Sequence, residues 1–129
     1  MKKLTMIALA LAMLTACGPK TLTGTAEKEF NGEKVTVEVT LEGDKVTEIT
    51  IDETYKGSTK RTLGNDYGMS SIGKDEWYVQ VDALQEYIVA NGADAVTLDA
   101  NGYSDAVAGC TINLANIMET VNAAIEAAE

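Results

Sequence analysis

The chain has no histidine in its 129 residues, only two cysteines, and half as many cations (10) as carboxylates (20). Each shortage closes off a class of function. Without histidine there is no His-based catalytic triad, and the usual His and Cys ligand sets for zinc cannot be assembled. A net charge of −10 repels nucleic acid and anionic headgroups, so no DNA or RNA partner and no basic membrane-binding patch is expected. The N-terminal apolar run, Thr5 to Leu14, is too short to span a bilayer, which takes about 20 residues. Aromatic residues make up 5% of the chain, with one Trp and one Phe, so few rings are available to stack on a planar ligand.

What is present begins with a cationic Met1-Lys2-Lys3 and an apolar run of signal-peptide length. The run ends in Leu14-Thr15-Ala16-Cys17-Gly18, which resembles a bacterial lipobox. In signals of that kind the chain is cut before the Cys, and palmitate-type acyl chains are added there. Acyl chains anchor by burying hydrocarbon at about 0.8 kcal/mol per methylene. The expected organisation is a signal peptide over 1–16, lipidation at Cys17, a tether over 17–22 containing Pro19, and one domain over 23–129. The expected location is the extracytoplasmic face of a bacterial cell membrane. The alternative is an ordinary signal peptide with an incidental Cys. Losing Lys2 and Lys3 takes the charge from −10 to −12, so attachment falls to the lipid and not to basic residues. Cys110 is then the remaining thiol, which excludes an intramolecular disulfide.

From Thr23 the pattern turns to period two. Thr23, Thr25 and the stretch to Phe30 predict a first strand, closed by the hairpin turn Asn31-Gly32. Val35, Val37, Val39 and Leu41 alternate with Thr36, Glu38, Thr40 and Glu42, a half-buried strand. Val46, Ile49 and Ile51 continue on a third, whose alternation slips at Thr47-Glu48 and predicts a bulge. The result is an antiparallel meander with one acidic, solvated face.

Residues 54–74 are irregular and broken by Gly57, Gly64, Gly68 and Gly73. Lys56, Lys60, Arg61 and Lys74 make the segment basic. It either shields a ligand phosphate or carboxylate, or is a solvated loop. Asp75-Glu76 suit a helix N-terminus. Trp77, Val81, Leu84 and Ile88 form one apolar stripe, and Asn91-Gly92 ends the helix. Trp77 is expected in the core, with the lining of a ligand pocket as the alternative. Ala93 to Leu98 is expected as a short strand. Asp99, Asn101 and Asp105 lack the Gly and terminal Glu of a calcium loop, so no metal is expected there. From Asn113 to Ala128, Leu114, Ile117, Met118, Val121 and Ile125 recur at helical spacing. Two helices packed on one face of a small sheet make the expected fold an α+β domain.

The heptad Asp105-Ala106-Val107-Ala108-Gly109-Cys110-Thr111 precedes that last helix. It is read as delivering the Thr111 hydroxyl to the first helical turn, where free N–H groups and the helix dipole suit a phosphate. Asp105, Gly109 and Thr111 match Asp-x-x-(Ser/Thr)-Gly-Ala-(Thr/Ser). By that motif the chain resembles the FMN-binding domain of extracytoplasmic flavoproteins, which includes the C subunit of sodium-pumping quinone reductase. Ala108 and Cys110 depart from it, standing where Ser/Thr and Ala are usual. Tyr67-Gly68-Met69 resembles segments in small lipoproteins of the same group.

The resemblance implies FMN as cofactor, joined through its phosphate to Thr111 by a flavin transferase. It also implies an electron-carrying role with redox partner proteins and without substrate turnover. Gly109 would allow close backbone approach, Asp105 would shape the acceptor turn, and Cys110 would lie beside the flavin or be a small buried residue. The acidic surroundings would disfavour the anionic reduced flavin. The alternative is a lipid-anchored surface or small-ligand-binding module of the same fold that no longer binds flavin.

Overall fold

The computed structural model describes residues 20–129, so the expected signal peptide, Cys17 and the first part of the tether lie outside the described residues. Strands β1 (Thr21–Phe30), β2 (Glu33–Glu42), β3 (Lys45–Tyr55) and the short β4 (Ser58–Thr59) form one antiparallel sheet in sequence order. β1 begins at Thr21, two residues before the expected domain boundary. Its turn into β2 is Asn31-Gly32, both at positive φ (52° and 85°), the left-handed pair that matches the twist of a two-residue hairpin. Thr47 is the extra residue where Thr40 pairs with Glu48 but Leu41 pairs with Val46, so the bulge lies where the alternation slips.

The alternation decides which face is covered. Ala26, Val37 and Ile51 form one cross-strand row on the inner face, and Val39 and Ile49 belong to the next. All five are buried, while Glu38 between them is exposed. Two helices cover the inner face: α2 (Trp77–Asn91) lies against β3, and α3 (Ala115–Ala128) lies against β1 and β2. Trp77, Val81, Leu84 and Ile88 of α2 join Leu114, Ile117, Met118 and Val121 in one contiguous core. Lys28 of β1 adds a 3.1 Å ion pair to Glu119 on α3.

Residues 54–74 hold more structure than their glycines suggest. Lys56-Gly57 makes a second hairpin with both residues at positive φ (47° and 81°), pairing Thr54 with Thr59. A one-turn helix α1 (Lys60–Leu63) and 3-10 turns at Gly64–Tyr67 and Met69–Ile72 follow. Arg61 pins this segment to the body. Its Nε donates to the Ile51 carbonyl at 2.6 Å, and its other nitrogens reach Asp82 (2.8 Å) and Gln85 (2.6 Å) on α2.

Two expectations are corrected. Ala93 to Leu98 is not a strand: Ala93–Ala95 is a 3-10 turn, after which Val96 drops into the core. The last helix begins at Ala115, with Leu114 at its N-cap position, so Thr111 does not lie in its first turn. The Asn113 carboxamide explains the late start. Its Oδ1 accepts the Ala115 N–H at 2.9 Å while its Nδ2 donates to the Asn101 carbonyl at 2.7 Å, which fastens the preceding loop to the helix start. Among the described residues, no helix is long and apolar enough to cross a membrane.

Candidate functional site

At the end of the sheet marked by Glu53 and Tyr55, the cover over the inner face opens into a groove of about 590 Å³. Its walls come from four places: the end of β3 (Glu53, Tyr55), the segment from Lys60 to Lys74, the start of α2 (Trp77), and the approach to α3 (Thr111 to Ile117). Its volume falls in the range of small-molecule sites, about 300–1,000 Å³.

The lining combines rings and cations. Tyr55 and Tyr67 meet edge to face with centroids 5.0 Å apart. Lys60 Nζ lies 5.0 Å from the Tyr67 centroid and 5.5 Å from that of Trp77, and pairs with Glu53 at 3.0 Å. The ammonium is thus held among two ring faces and a carboxylate. Lys74 and the exposed Tyr103 and Ile72 complete the mouth. Locally, Lys60 and Lys74 oppose only Glu53, so the expectation of acidic surroundings, drawn from net charge, does not hold in the groove itself.

Two buried polar side chains at the start of α2 hold opposite walls. Glu76, at the N-cap position, accepts the backbone N–H of Ser70 (2.9 Å) and of Met69 (3.2 Å), so the wall from Met69 to Ile72 hangs on one carboxylate. Hydrogen bonds from the Ser70 backbone and hydroxyl, then from the Met69 and Gly68 backbone, hold the Glu76 carboxyl below its ordinary range. Gln80, 1% exposed, accepts at Oε1 from the Thr111 N–H (2.7 Å), the Thr111 hydroxyl (3.2 Å) and the Ile112 N–H (3.2 Å). Its Nε2 donates to the Asp75 carbonyl at 2.8 Å. Neither residue was singled out from the sequence as part of a site. The signal available for Gln80 was an amide at a core-facing position between Trp77 and Leu84.

Of the four heptad residues named above, Thr111 alone reaches the groove wall, and it is exposed. Cys110 is buried (5% exposed) and is not part of the groove lining, and its burial pushes the thiol pKa up. Gly109 sits at φ 79° in the turn where the Cys110 N–H reaches the Val107 carbonyl. A Cβ there would meet no protein atom within 4 Å, so within the chain the position calls for glycine through its backbone conformation. Asp105 is exposed, and its carboxylate has no hydrogen-bond or ion-pair partner among the described residues; the local turn is closed instead by Ser104 Oγ accepting the Ala106 N–H. Tyr67 and Trp77 both line the groove, and Trp77 serves the core as well. Among the described residues, no group of three or more His, Cys, Asp or Glu side chains could hold a metal ion.

The family model described as FMN-binding domain matches residues 30–126, most of the described chain. The chain belongs to the FMN-binding domain family. No curated protein and no solved structure matches it. Membership makes this a flavin-binding protein with FMN as its cofactor, and the module without flavin gives way to that reading. The groove fits the ligand. It offers ring surface at Tyr67 and Tyr103 for a planar heterocycle, with Trp77 behind them in the wall, cations at Lys60 and Lys74 for anionic groups, and amides at Asn113 and Asn116 as donors and acceptors.

Proposed function

We propose that the chain is a lipid-anchored, extracytoplasmic flavoprotein that carries electrons on FMN joined to Thr111 as a phosphoester. One observation carries the covalent part: Thr111 is an exposed residue on the wall of the groove, held there by its backbone N–H and hydroxyl, which both donate to Gln80. FMN supplies one- and two-electron redox chemistry when bound. The residues of the chain supply position and electrostatics. Tyr67 and Tyr103 offer ring surface to the flavin, Trp77 backs the wall from the core, Lys60 and Lys74 set the local charge, and Glu76 holds the Met69–Ile72 wall in place.

The anchor part rests on the lipobox-like run ending at Cys17 and on an acidic charge that leaves no basic patch to do the work. Its partners on this reading are the membrane, a flavin transferase that installs the cofactor, and redox proteins that exchange electrons with it. No substrate turnover is assigned to it.

The test is covalency. The chain is produced with a flavin transferase and run on a denaturing gel viewed under ultraviolet light. A fluorescent band that disappears in Thr111→Ala is expected. Fluorescence that runs free of the protein, or a band that survives Thr111→Ala, overturns the phosphoester while leaving noncovalent FMN binding intact.

A further inference from the structure

We infer that Gln80 is the positioning residue for the Thr111 hydroxyl, fixing the rotamer in which Oγ1 meets an incoming phosphoryl group. This rests on the phosphoester reading above.

The orientation of the Gln80 carboxamide is decided by groups that can act only one way. The Asp75 carbonyl, 2.8 Å from Nε2, only accepts. The N–H groups of Thr111 and Ile112, 2.7 Å and 3.2 Å from Oε1, only donate. Oε1 is therefore an acceptor with no ambiguity of flip, and the Thr111 hydroxyl 3.2 Å from it is the donor in that contact. A threonine hydroxyl has one proton and two lone pairs. With the proton turned toward Gln80, the lone pairs are left for the exposed side of the residue.

Chemistry and placement both point past a simple latch. A latch between α2 and the Thr111 loop needs only the two backbone contacts, yet the same oxygen also takes the side chain that faces the groove. Gln80 sits on the buried stripe of α2, where an amide without partners is unfavourable and an apolar residue is the default. Its amide matches this position because one end must accept from the loop while the other donates to Asp75.

The step itself balances as follows. A hydroxyl and a free phosphate monoester do not join unaided, so the flavin donor is a phosphoanhydride of FMN. The bond from Thr111 Oγ1 to phosphorus forms and the anhydride P–O bond breaks. The other half leaves with the bridging oxygen, and no oxidation or reduction occurs. Phosphoryl transfer passes through a loose transition state in which little covalent help is needed and alignment dominates. As the bond to phosphorus forms, the hydroxyl turns about its Cβ–Oγ1 bond, so that its proton leaves the Gln80 contact for a base of the transferase or for water on the exposed side of the residue, while Oγ1 itself stays in place. A neutral carboxamide does not take up the proton, so Gln80 orients and is not the base.

The experiment uses the full chain, a purified flavin transferase, and flavin adenine dinucleotide as the FMN phosphoanhydride, with AMP release and covalent flavin both followed. Gln80→Met keeps length and removes every hydrogen bond; Gln80→Glu keeps an acceptor toward Thr111 and loses the donor toward Asp75. Gln80→Met is expected to lower kcat by about 100-fold, the loss typical of a displaced reacting group, with KM for the acceptor protein little changed. Gln80→Glu should recover most of the rate. Amide hydrogen exchange should rise at Thr111 and Ile112 in the Met variant and stay slow in α3.

A folded Gln80→Met accepting flavin at the wild-type kcat overturns the inference, as does a Glu variant that is as slow as the Met one. If the Met variant fails to fold, the Glu variant decides alone: a near-native rate supports the inference and a 100-fold loss overturns it. Failure of the underlying reading looks different. Wild type then takes up no covalent flavin, or Thr111→Ala still does, and the inference falls with it.

Discussion

Gly24 of β1 and Ala128 of α3 pack backbone against backbone: a Cβ added at Gly24 would sit 2.6 Å from the Ala128 nitrogen and 2.7 Å from its Cβ, and would also strike the Ala124 carbonyl. The helix can lie this close to the strand only because the side chain is absent. Its own small residues Ala124 and Ala128 complete the contact. Gly24→Ala should therefore destabilise by at least the about 1–3 kcal/mol usual for overpacking, since the atoms it meets are backbone and cannot swing aside. Denaturant melts check this, and a Gly24→Ala midpoint equal to wild type would refute the packing.

Acid sensitivity should trace in part to Glu76. Its carboxylate is held by N–H groups of Ser70 and Met69, so its folded pKa lies below its unfolded one. The unfolded chain therefore binds more protons in the acid range, and stability rises with pH there. The Glu76 contribution is complete above the ordinary carboxylate range and is lost as pH falls through the folded value. Glu76→Gln should melt below wild type near neutrality, with the gap closing toward acid pH. A gap that stays constant from pH 7 to strongly acid solution would rule this out.

Cys110 should behave as a small apolar residue. It is buried, and burial pushes its thiol above the usual range, so the reactive thiolate is scarce in the folded protein. A thiol reagent should label the native chain slowly and the denatured chain fast. Cys110→Ala should leave FMN binding unchanged. Rapid labelling of folded protein, or a disulfide-linked dimer that the Ala variant abolishes, would contradict it.

The membrane anchor is tested at Cys17. Cys17→Ser should move the protein from the membrane fraction to the soluble fraction, because the acidic domain supplies no alternative attachment. Persistence in carbonate-washed membranes would put the anchor elsewhere.

The sheet was legible because its information is local. Val35 to Leu41 spell out a face residue by residue, Asn31-Gly32 names its own turn, and even the bulge at Thr47 shows as a slip in the alternation. The stripe on α2 was legible for the same reason. The site was legible only in part. The heptad pointed to Thr111, and pocket lining stood as the alternative for Trp77 beside the core, but the place of Tyr67 in the groove and the residues that hold the walls were not seen. Gln80 acts on Thr111, 31 positions away, and no periodicity carries that pairing. The late start of α3 escaped for a similar reason: apolar spacing runs through Leu114, and it is the contact of Asn113 with Asn101 that diverts the backbone. Ala93 to Leu98 read as a strand because Val96 is apolar and flanked by small residues. It buries its side chain without joining the sheet, because the turn at Ala93–Ala95 packs against the two helices and not against a strand.

Strand direction gives the groove an address. Thr21, Glu42 and Lys45 share one end of the sheet, and Glu53 and Tyr55, which line the groove, lie toward the other. A strand climbs about 3.3 Å per residue, so the two ends are separated by about 30 Å. The chain leaves the described region at Lys20, beside the first of these ends. Held at Cys17, the protein would act as a short mast. Its flavin groove would then lie at the end of the sheet away from the anchor.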